Sequence, residues 1–240
     1  MTPVAVAIVC KTPAAGKSKT RLSPPLRPEE CAAISSCFIR DLSQTIQSLA
    51  EDGDVQGCAV YTPFGSEAAL RQMVPDAFEL TLQGEGDLGA RLLKGTLDLL
   101  EAGYGGAILV NSDSPTLPKA ILRAAVDAVR QGDNVVLSPA LDGGYTLIGL
   151  SSPHARLFED MPWSTEDVYR LTLARAAELG LPVVPVPGWY DVDDEASFRM
   201  LEDEVDGHRP AFASTHLVAA AAPATRNFVI QRRNEFQKRA

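Results

Sequence analysis

Four basic side chains stand close together near the amino terminus of a chain whose net charge at pH 7 is -9. They are Lys11, Lys17, Lys19 and Arg21. They follow the apolar run 4–10 in a loop that also contains Gly16. Backbone N–H groups and fixed cations at the end of a strand can both face phosphate oxygens. We therefore predict that this loop binds the phosphates of a nucleotide, with a solvated basic turn as the alternative.

Three aspartates form the acidic counterpart of this loop. Asp113 directly follows the apolar run 107–110, and Asp191 and Asp193 lie in the sequence WYDVDD. In an extended chain Asp191 and Asp193 point to the same side, about 6 to 7 Å apart. A divalent cation between these carboxylates and a polyphosphate would relieve their mutual repulsion, so we predict that all three bind a metal. The alternatives are an Asx turn at Asp113 and an acid-rich helix start that includes Asp194.

Two glycine-containing turns supply further candidates. Asp142, Gly143 and Gly144 join two strand-like segments, which indicates either a hairpin turn or a close approach of the backbone to a ligand. Gly86 and Asp87, both substrate-binding candidates, lie at the start of a predicted helix, where a loop with Asp87 as the helix cap is one interpretation and a contact of two glycines and an Arg with a sugar or base is the other. Asp142 is the candidate general base, because a carboxylate beside an acceptor can take its proton.

Motif spacing excludes several other site classes. A P-loop needs a glycine five residues before Gly16, where this chain has Lys11. The first strand is followed by no G-x-G-x-x-G, and the chain contains no G-x-S-x-G and no H-E-x-x-H. The four cysteines show no C-x-x-C spacing, so we expect reduced, mostly buried thiols.

Apolar runs of strand length alternate with segments of helical period, which predicts an α/β protein with a largely parallel sheet. The predicted strands are 4–10, 55–61, 106–111, 134–138 and 145–150. The predicted helices are 28–51, 87–103, 118–131 and a fourth from about Ser164 towards Gly180, with Ser164 and Asp167 as a capping box. Ligands bind at the carboxyl ends of such strands, which is where Asp113 lies.

Charge divides the chain into two parts. Residues 207–240 carry six basic side chains against one acidic, while residues 1–206 are strongly acidic. We predict a nucleotide-binding domain over 1–206 and a basic C-terminal extension over 207–240, helical or flexible. An acidic body disfavours nucleic acid as a partner. The chain lacks the roughly 18 consecutive apolar residues of a membrane span and a secretion signal, so we expect a cytoplasmic enzyme.

Six motifs in this order resemble a known family. They are KTPAAGKSKTRL, QGEGDLGARL, NSDSPTLP, SPALDGGYTLIGL, WST and WYDVDD. Over about residues 5–203 the chain resembles the bacterial GT-A-like transferases often described as selenodomain-associated glycosyltransferases. That family is similar to the nucleotidyltransferases that make guanylylated molybdenum cofactor and guanylylated 2-phospholactate. The resemblance implies the nucleotide-diphospho-sugar transferase fold, a Rossmann-like three-layer sandwich with a mostly parallel mixed sheet, and a Mg²⁺ or Mn²⁺ cofactor.

The resemblance also implies roles for individual residues. Lys19 and Arg21 match the phosphate-binding pair, and Asp142, Gly143 and Gly144 line the acceptor side. The chain departs from the pattern at Asn111, where glycine is expected, and at Asp194, where threonine is common. The catalytic candidates are Lys19, Arg21, Asp113 and Asp142. The substrate-binding candidates are Lys11, Gly16, Lys17, Lys19, Arg21, Gly86, Asp87, Ser112, Asp142, Gly143 and Gly144. The metal-binding candidates are Asp113, Asp191 and Asp193.

These observations lead to one principal hypothesis and two alternatives. The principal hypothesis is a metal-dependent transferase that takes a nucleoside triphosphate or a nucleotide sugar and passes a nucleotidyl or glycosyl group to a small acceptor. The same residue types serve both reactions, so the sequence leaves that choice open. The alternatives are a non-catalytic nucleotide-binding regulatory module and a P-loop-like kinase. We expect no nucleic-acid partner and allow for a homodimer.

Overall fold

The computed structural model, which describes residues 2–239, contains a seven-stranded sheet in the order β3-β2-β1-β4-β6-β5-β7. The strands are β1 Val4–Lys11, β2 Val55–Thr62, β3 Glu79–Leu82, β4 Ala107–Asn111, β5 Val135–Pro139, β6 Tyr145–Leu150 and β7 Val183–Pro185. Only β6 opposes its neighbours, and the other pairs are parallel. The predicted mostly parallel mixed sheet is confirmed, and each of the five predicted strands is correct to within one residue at either end.

Helices cover both faces of the sheet. They are α1 Pro28–Ala50, α2 Glu67–Arg71, α3 Leu88–Glu101, α4 Lys119–Val129, α5 Val168–Glu178, α6 Glu195–Val205 and α7 Pro223–Arg239. Alternation along β1 turns Val6 and Ile8 towards α1 and α4, and Ala5 and Ala7 towards α3 and α5, so a separate core forms on each face. This arrangement is the predicted three-layer sandwich. Among the helices described here, none has the length and apolar character needed to cross a membrane.

The order of the strands creates a crevice beside β1. The chain steps outward from β1 through β2 to β3 and then returns to place β4 on the other side of β1. In open α/β sheets, ligands bind where the direction of the winding reverses in this way, at the carboxyl ends of the strands. The basic loop follows β1 and Asp113 follows β4. The topology therefore brings the two predicted groups of charged residues to one edge.

The predicted start of the helix near Ser164 is wrong. Ser164 adopts a left-handed conformation with φ 64°, and α5 begins only at Val168. The turn between β5 and β6 accounts for this difference, because Gly143 packs directly on Glu166. A Cβ at Gly143 would lie 2.3 Å from the Glu166 carbonyl oxygen. The Tyr169 N–H, in the first turn of α5, donates to the Gly143 carbonyl at 2.9 Å, so the turn satisfies one of the free N–H groups at the helix start.

The basic C-terminal extension forms α7 and packs on α1 and α6. The buried carboxylate of Asp41, on α1, accepts hydrogen bonds from Ala224 N at 3.0 Å and Thr225 N at 2.7 Å. A carboxylate at a helix amino terminus satisfies free N–H groups and interacts favourably with the helix dipole. Arg233 of α7 contacts Glu202 and Asp206. The positive charge of the extension is thus partly neutralised by the acidic domain.

Asp54, in the turn before β2, connects α4 to the amino-terminal half of the sheet. It accepts two hydrogen bonds from Arg123, both at 2.9 Å, and a third from Arg130. Hydrogen bonds from Arg123 and then Arg130 lower the pKa of Asp54 to about 2. Because this value lies below the roughly 3.9 of an unfolded aspartate, the ion pairs stabilise the fold at neutral pH.

We expect Asp54→Asn to lower the free energy of unfolding by about 1–2 kcal/mol at pH 7, allowing for solvent screening. The stabilisation is complete above about pH 5 and is lost as the pH falls towards the folded-state pKa, so the two proteins should converge near pH 2. Urea unfolding at several pH values measures this. Asp127→Asn, which removes an exposed partner of Arg123, is the control and should cost less than about 0.5 kcal/mol. A difference independent of pH would contradict the prediction.

Candidate active site

The ammonium group of Lys19 lies where three separate segments of the chain meet. Its Nζ is 2.7 Å from Asp113 Oδ1 and 2.6 Å from Asp193 Oδ1, and it donates to the Val192 carbonyl at 2.8 Å. The Lys19 side chain is only 6% exposed. Burial lowers its pKa, but Asp113 and Asp193 outweigh that effect and the pKa is raised. Lys19 is therefore a buried, charged link between the loops after β1 and β4 and the segment before α6.

Asp193 also binds the second basic residue of the predicted pair. Arg21 Nη2 donates to Asp193 Oδ2 at 2.8 Å, so Lys19 and Arg21 each occupy one oxygen of the same carboxylate. The Arg21 side chain is 68% exposed, unlike that of Lys19. Lys19 has the uncommon left-handed backbone angle φ 50°, which these bonds help to maintain. Asp193 thus positions the basic pair, and Arg21 keeps most of its surface open to solvent.

The loop after β4 is organised by Asn111. Its Oδ1 accepts hydrogen bonds from Asp113 N at 3.2 Å and from Ser114 Oγ at 3.0 Å. This Asx turn leaves the Asp113 carboxylate free to meet Lys19 and the Ser112 hydroxyl, which donates to it at 3.0 Å. Val192 N donates to the Asp113 carbonyl at 2.9 Å and ties the two acidic segments together. The expected glycine at position 111 is thus replaced by a residue with a defined structural role.

A cavity of about 260 Å³, here called the central cavity, opens beside Asp113. Asp113, Asp142 and Asp191 are among the residues that line it. Apolar side chains from β4, β6, α3 and α5 also line it, among them Leu92 and Ile148. The cavity therefore combines acidic groups with an apolar surface. Of the predicted substrate-binding residues, Ser112 and Gly144 also contribute to its wall.

Asp191 has the most perturbed acidic group of this cavity. Burial raises its pKa, and the nearby charges of Asp142, Asp193 and Asp113 raise it further, to about 7. Three other carboxyl groups therefore lie close enough to Asp191 to oppose its ionisation. A bound cation would relieve this repulsion.

The carboxylates suit a metal that needs few protein ligands. Within residues 2–239, no three His, Cys, Asp or Glu side chains are arranged as a metal site. Mg²⁺ commonly uses one or two carboxylates and completes its shell with substrate phosphates and water. Asp113 and Asp191 face the central cavity and fit that pattern, whereas both oxygens of Asp193 are engaged by Lys19 and Arg21. The donor set is therefore compatible with Mg²⁺ or Mn²⁺ shared with a phosphate ligand.

Asp194 serves as the amino-terminal cap of α6. Its Oδ1 accepts a hydrogen bond from Ser197 N at 2.8 Å, and the Ser197 hydroxyl completes a capping box. The alternative interpretation of this acid as part of a helix start is thus confirmed. It also separates Asp194 from Asp191 and Asp193, which face the central cavity and the basic pair, respectively.

Other predicted residues lie outside the central cavity. The Asp87 carboxylate accepts from Ala90 N at 2.9 Å and caps α3, and Gly86 forms the turn before it. Lys11, the last residue of β1, and Lys17, in the loop that follows, are both exposed, and Lys11 Nζ donates to the Lys17 carbonyl. Gly16 is in the same loop, and Gly143 contacts Glu166 as described above. The exposed lysines remain candidates for contacts to a large anionic substrate.

Tyr145 and Trp163 also line the central cavity, although neither was among the predicted site residues. The Tyr145 hydroxyl is buried and has no hydrogen-bond partner in the part of the chain that the structure describes. Trp163 packs against α3 at Gly89, where an added Cβ would lie 2.3 Å from the Phe158 carbonyl oxygen. Gly89, the third glycine of QGEGDLGARL, therefore permits this close packing. Their position after the DGG turn and within WST was the available sequence signal.

Residues 45–165 match the family described as an uncharacterized protein conserved in bacteria, DUF2064. A solved structure from Desulfovibrio desulfuricans G20, provisionally named a nucleotide-diphospho-sugar transferase, superposes with a TM-score of 0.80 at 24% identity. The match covers 97% of this chain and 98% of that one. CMP:2-keto-3-deoxy-manno-octonic acid synthetase complexed with CTP gives a TM-score of 0.56 at 10% identity, over 86% of this chain and 99% of that chain. The GT-A-like fold expected from the motifs is thus confirmed.

A shorter similarity involves a different class of protein. The protein from Pongo abelii provisionally named the protein-lysine deacylase ABHD14B is 33% identical over 92 residues, which are 38% of this chain. The chain spans 43% of the length of that curated relative. The similarity is therefore confined to less than half of either protein.

We expect Lys19→Met to lower the free energy of unfolding by about 2–4 kcal/mol, because it leaves Asp113 and Asp193 without their shared buried cation. Arg21→Met should cost less than about 1 kcal/mol, because Arg21 is mostly solvated. Urea unfolding of both variants and the unsubstituted protein at pH 7 tests this order. Equal losses for the two substitutions would show that Lys19 is not the principal link.

Proposed function

The chain belongs to the DUF2064 family of bacterial proteins, and on that premise we propose that it is a metal-dependent transferase acting on a nucleoside triphosphate or a nucleotide sugar. The observation that carries the proposal is the buried Lys19 ammonium between Asp113 and Asp193, at the point where the winding of the sheet reverses. Cationic and anionic groups thereby face one crevice, as a phosphate ligand and a divalent cation require.

Arg21 would contact the phosphates of the substrate and of the leaving group, whereas Lys19, whose three N–H groups already bond Asp113, Asp193 and the Val192 carbonyl, would hold those acids in place beside them. Asp193 holds both side chains in fixed positions, so little reorganisation is needed when the charge on the leaving group develops. Arg21 is exposed enough to contact a phosphate while it keeps its bond to Asp193. The exposed side chains of Lys11 and Lys17 add positive charge along the same loop.

Asp113 and Asp191 are the residues that would hold Mg²⁺ or Mn²⁺. When bound, such an ion neutralises phosphate charge and orients the phosphate oxygens for displacement. Asp193, which was also a predicted ligand, instead takes the role of positioning Lys19 and Arg21.

The acceptor would enter the central cavity. Asp142 lines this cavity, and its Oδ1 accepts from Gly144 N at 2.9 Å, which orients the carboxylate. A carboxylate in this position can take the proton of an attacking hydroxyl group, so Asp142 is the candidate general base. The unpaired hydroxyl of Tyr145 supplies a polar contact on the apolar wall. We therefore expect an acceptor that combines a hydroxyl or anionic group with an apolar portion.

The two structural relatives support different donor chemistries. CMP:2-keto-3-deoxy-manno-octonic acid synthetase was solved with CTP and favours nucleotidyl transfer. The Desulfovibrio protein is named for nucleotide-diphospho-sugars, and its match over nearly the whole chain favours glycosyl transfer as the second candidate. A deacylase activity has less support, because this chain has no G-x-S-x-G for a serine nucleophile.

Product analysis tests the reaction class. We expect incubation with Mg²⁺, each of the four nucleoside triphosphates and a panel of phosphorylated or hydroxylated small acids to release pyrophosphate if nucleotidyl transfer occurs. Release of nucleoside diphosphate from nucleotide sugars would identify glycosyl transfer instead. Mass spectrometry of the acceptor identifies the group transferred. Absence of both products across the panel would contradict the proposed enzyme class.

We expect Asp113→Asn to reduce turnover by about 100-fold or more, since it removes a proposed metal ligand and a partner of Lys19. Asp194→Asn is the matched control and should retain activity within about threefold, because asparagine caps a helix as well as aspartate does. Calorimetry of nucleotide binding accompanies the assay. Tight nucleotide binding without turnover, unchanged by Asp113→Asn, would instead support a non-catalytic regulatory module.

A further inference from the structure

A second cavity, of about 270 Å³, lies beneath the irregular segment that connects α6 to α7. We call it the C-terminal cavity. Residues 207–210 and 217–222 form one side of it, and α6 and the first turn of α7 form the other. Thr116 and Trp189 complete the wall, and the Trp189 indole N–H donates to the Thr116 hydroxyl at 3.1 Å. The cavity is therefore built largely by the extension that the proposed transfer reaction does not use.

Two buried polar side chains in this wall have unmet hydrogen-bonding capacity. Glu204 is 8% exposed, and its Oε2 accepts from the Tyr190 hydroxyl at 2.5 Å. Glu204 Oε1 has no hydrogen-bond partner within residues 2–239, and the same is true of the hydroxyl of Thr225, which is 0% exposed. A buried polar group without a hydrogen-bond partner is energetically unfavourable. A ligand that donates to Glu204 and bonds Thr225 would recover that cost.

The same cavity contains cationic side chains. Arg226 donates to the main-chain carbonyls of Val205, at 2.8 Å, and Glu204, at 3.5 Å. It forms no ion pair with a carboxylate in the described part of the chain. Arg209 and His208 line the exposed rim. Burial raises the pKa of Glu204, and the nearby charge of Arg226 opposes that shift. An anionic group at this end of the cavity would meet a guanidinium that forms no salt bridge among the described residues.

We propose that the C-terminal cavity binds a small carboxylate that also carries a hydroxyl or ammonium group, of about the size of an amino acid. The carboxylate of the ligand contacts Arg226 and Arg209, and its hydroxyl or ammonium group donates to Glu204. The apolar part of the wall, which includes Leu201 and Val205, accommodates a short carbon skeleton. This site does not depend on the proposed transferase activity, because it shares no residue with the central cavity.

The two cavities nevertheless use the same chain segments. Asp113 lines the central cavity, and Thr116, three residues later, lines the C-terminal cavity. In the segment before α6, Trp189 lines the C-terminal cavity and Asp191, two residues later, lines the central cavity. A molecule bound in the C-terminal cavity would thus contact the loops that carry two acids of the candidate active site.

Isothermal titration calorimetry and thermal unfolding of the full chain test the proposal. The probes are glycine, L-serine, L-threonine, lactate and 3-hydroxybutyrate. Propionate, ethanolamine and inorganic phosphate serve as compounds that present only one of the required functions. We expect at least one probe with both functions to bind and raise the melting temperature. The single-function compounds should bind at least tenfold more weakly.

Two substitutions locate the binding. Glu204→Gln removes the acceptor for the ligand's donor group, and Ala220→Leu fills the cavity without removing the Ala220 N–H, which bonds the Thr116 carbonyl. We expect each folded variant to weaken binding at least tenfold. Arg199→Gln, on the solvent side of α6, should bind as the unsubstituted protein does. The proposal would be overturned if no probe bound, or if inorganic phosphate bound as tightly as the probes with both functions. Unchanged binding in either folded cavity variant would also overturn it.

Discussion

The buried ion pairs of Lys19 are the interaction on which the candidate site depends. A single ammonium group joins the loop after β1, the loop after β4 and the segment before α6, through bonds to Asp113, Asp193 and the Val192 carbonyl. Removing such a charge from water is costly, and the cost is offset only when several acceptors surround it. The Lys19 ammonium group therefore holds these loops together, and it can be buried only because the loops supply its acceptors. This mutual requirement places charged residues at one edge of the sheet.

The sheet makes this meeting geometrically feasible. β1 and β4 are parallel neighbours, so the loops that follow them emerge side by side. Val192 extends the arrangement by donating to the Asp113 carbonyl, which brings the third segment to the same edge. Asp193 then supports the basic pair while Asp191 lines the central cavity. Neighbouring acids thus acquire different roles because Asp191 contributes to a cavity wall, Asp193 to an ion pair and Asp194 to a helix cap.

Much of the fold could be predicted from the sequence because the central strands are continuous apolar runs and the long helices have regular buried stripes. β3 and β7 were missed because they are short edge strands with few buried side chains. The start of α5 was misplaced because a distant turn at Gly143, rather than the local capping pattern, determines where that helix begins. Lys19 and Asp113 could be nominated from their positions after strands. The ion pair that connects Lys19 to Asp193 could not be predicted, because the two residues are 174 positions apart in the sequence.

The balance of charge in the central cavity limits what can bind there. Lys19 and Arg21 are already engaged with Asp193, so the carboxyl groups of Asp142 and Asp191 line the cavity without a salt bridge among the described residues. A polyphosphate approaching without a counterion would meet both the attraction of the basic loop and the repulsion of these carboxylates. Under the proposed function, a cation held by Asp113 and Asp191 would offset that repulsion, so an anionic substrate would bind more favourably with a cation than without one.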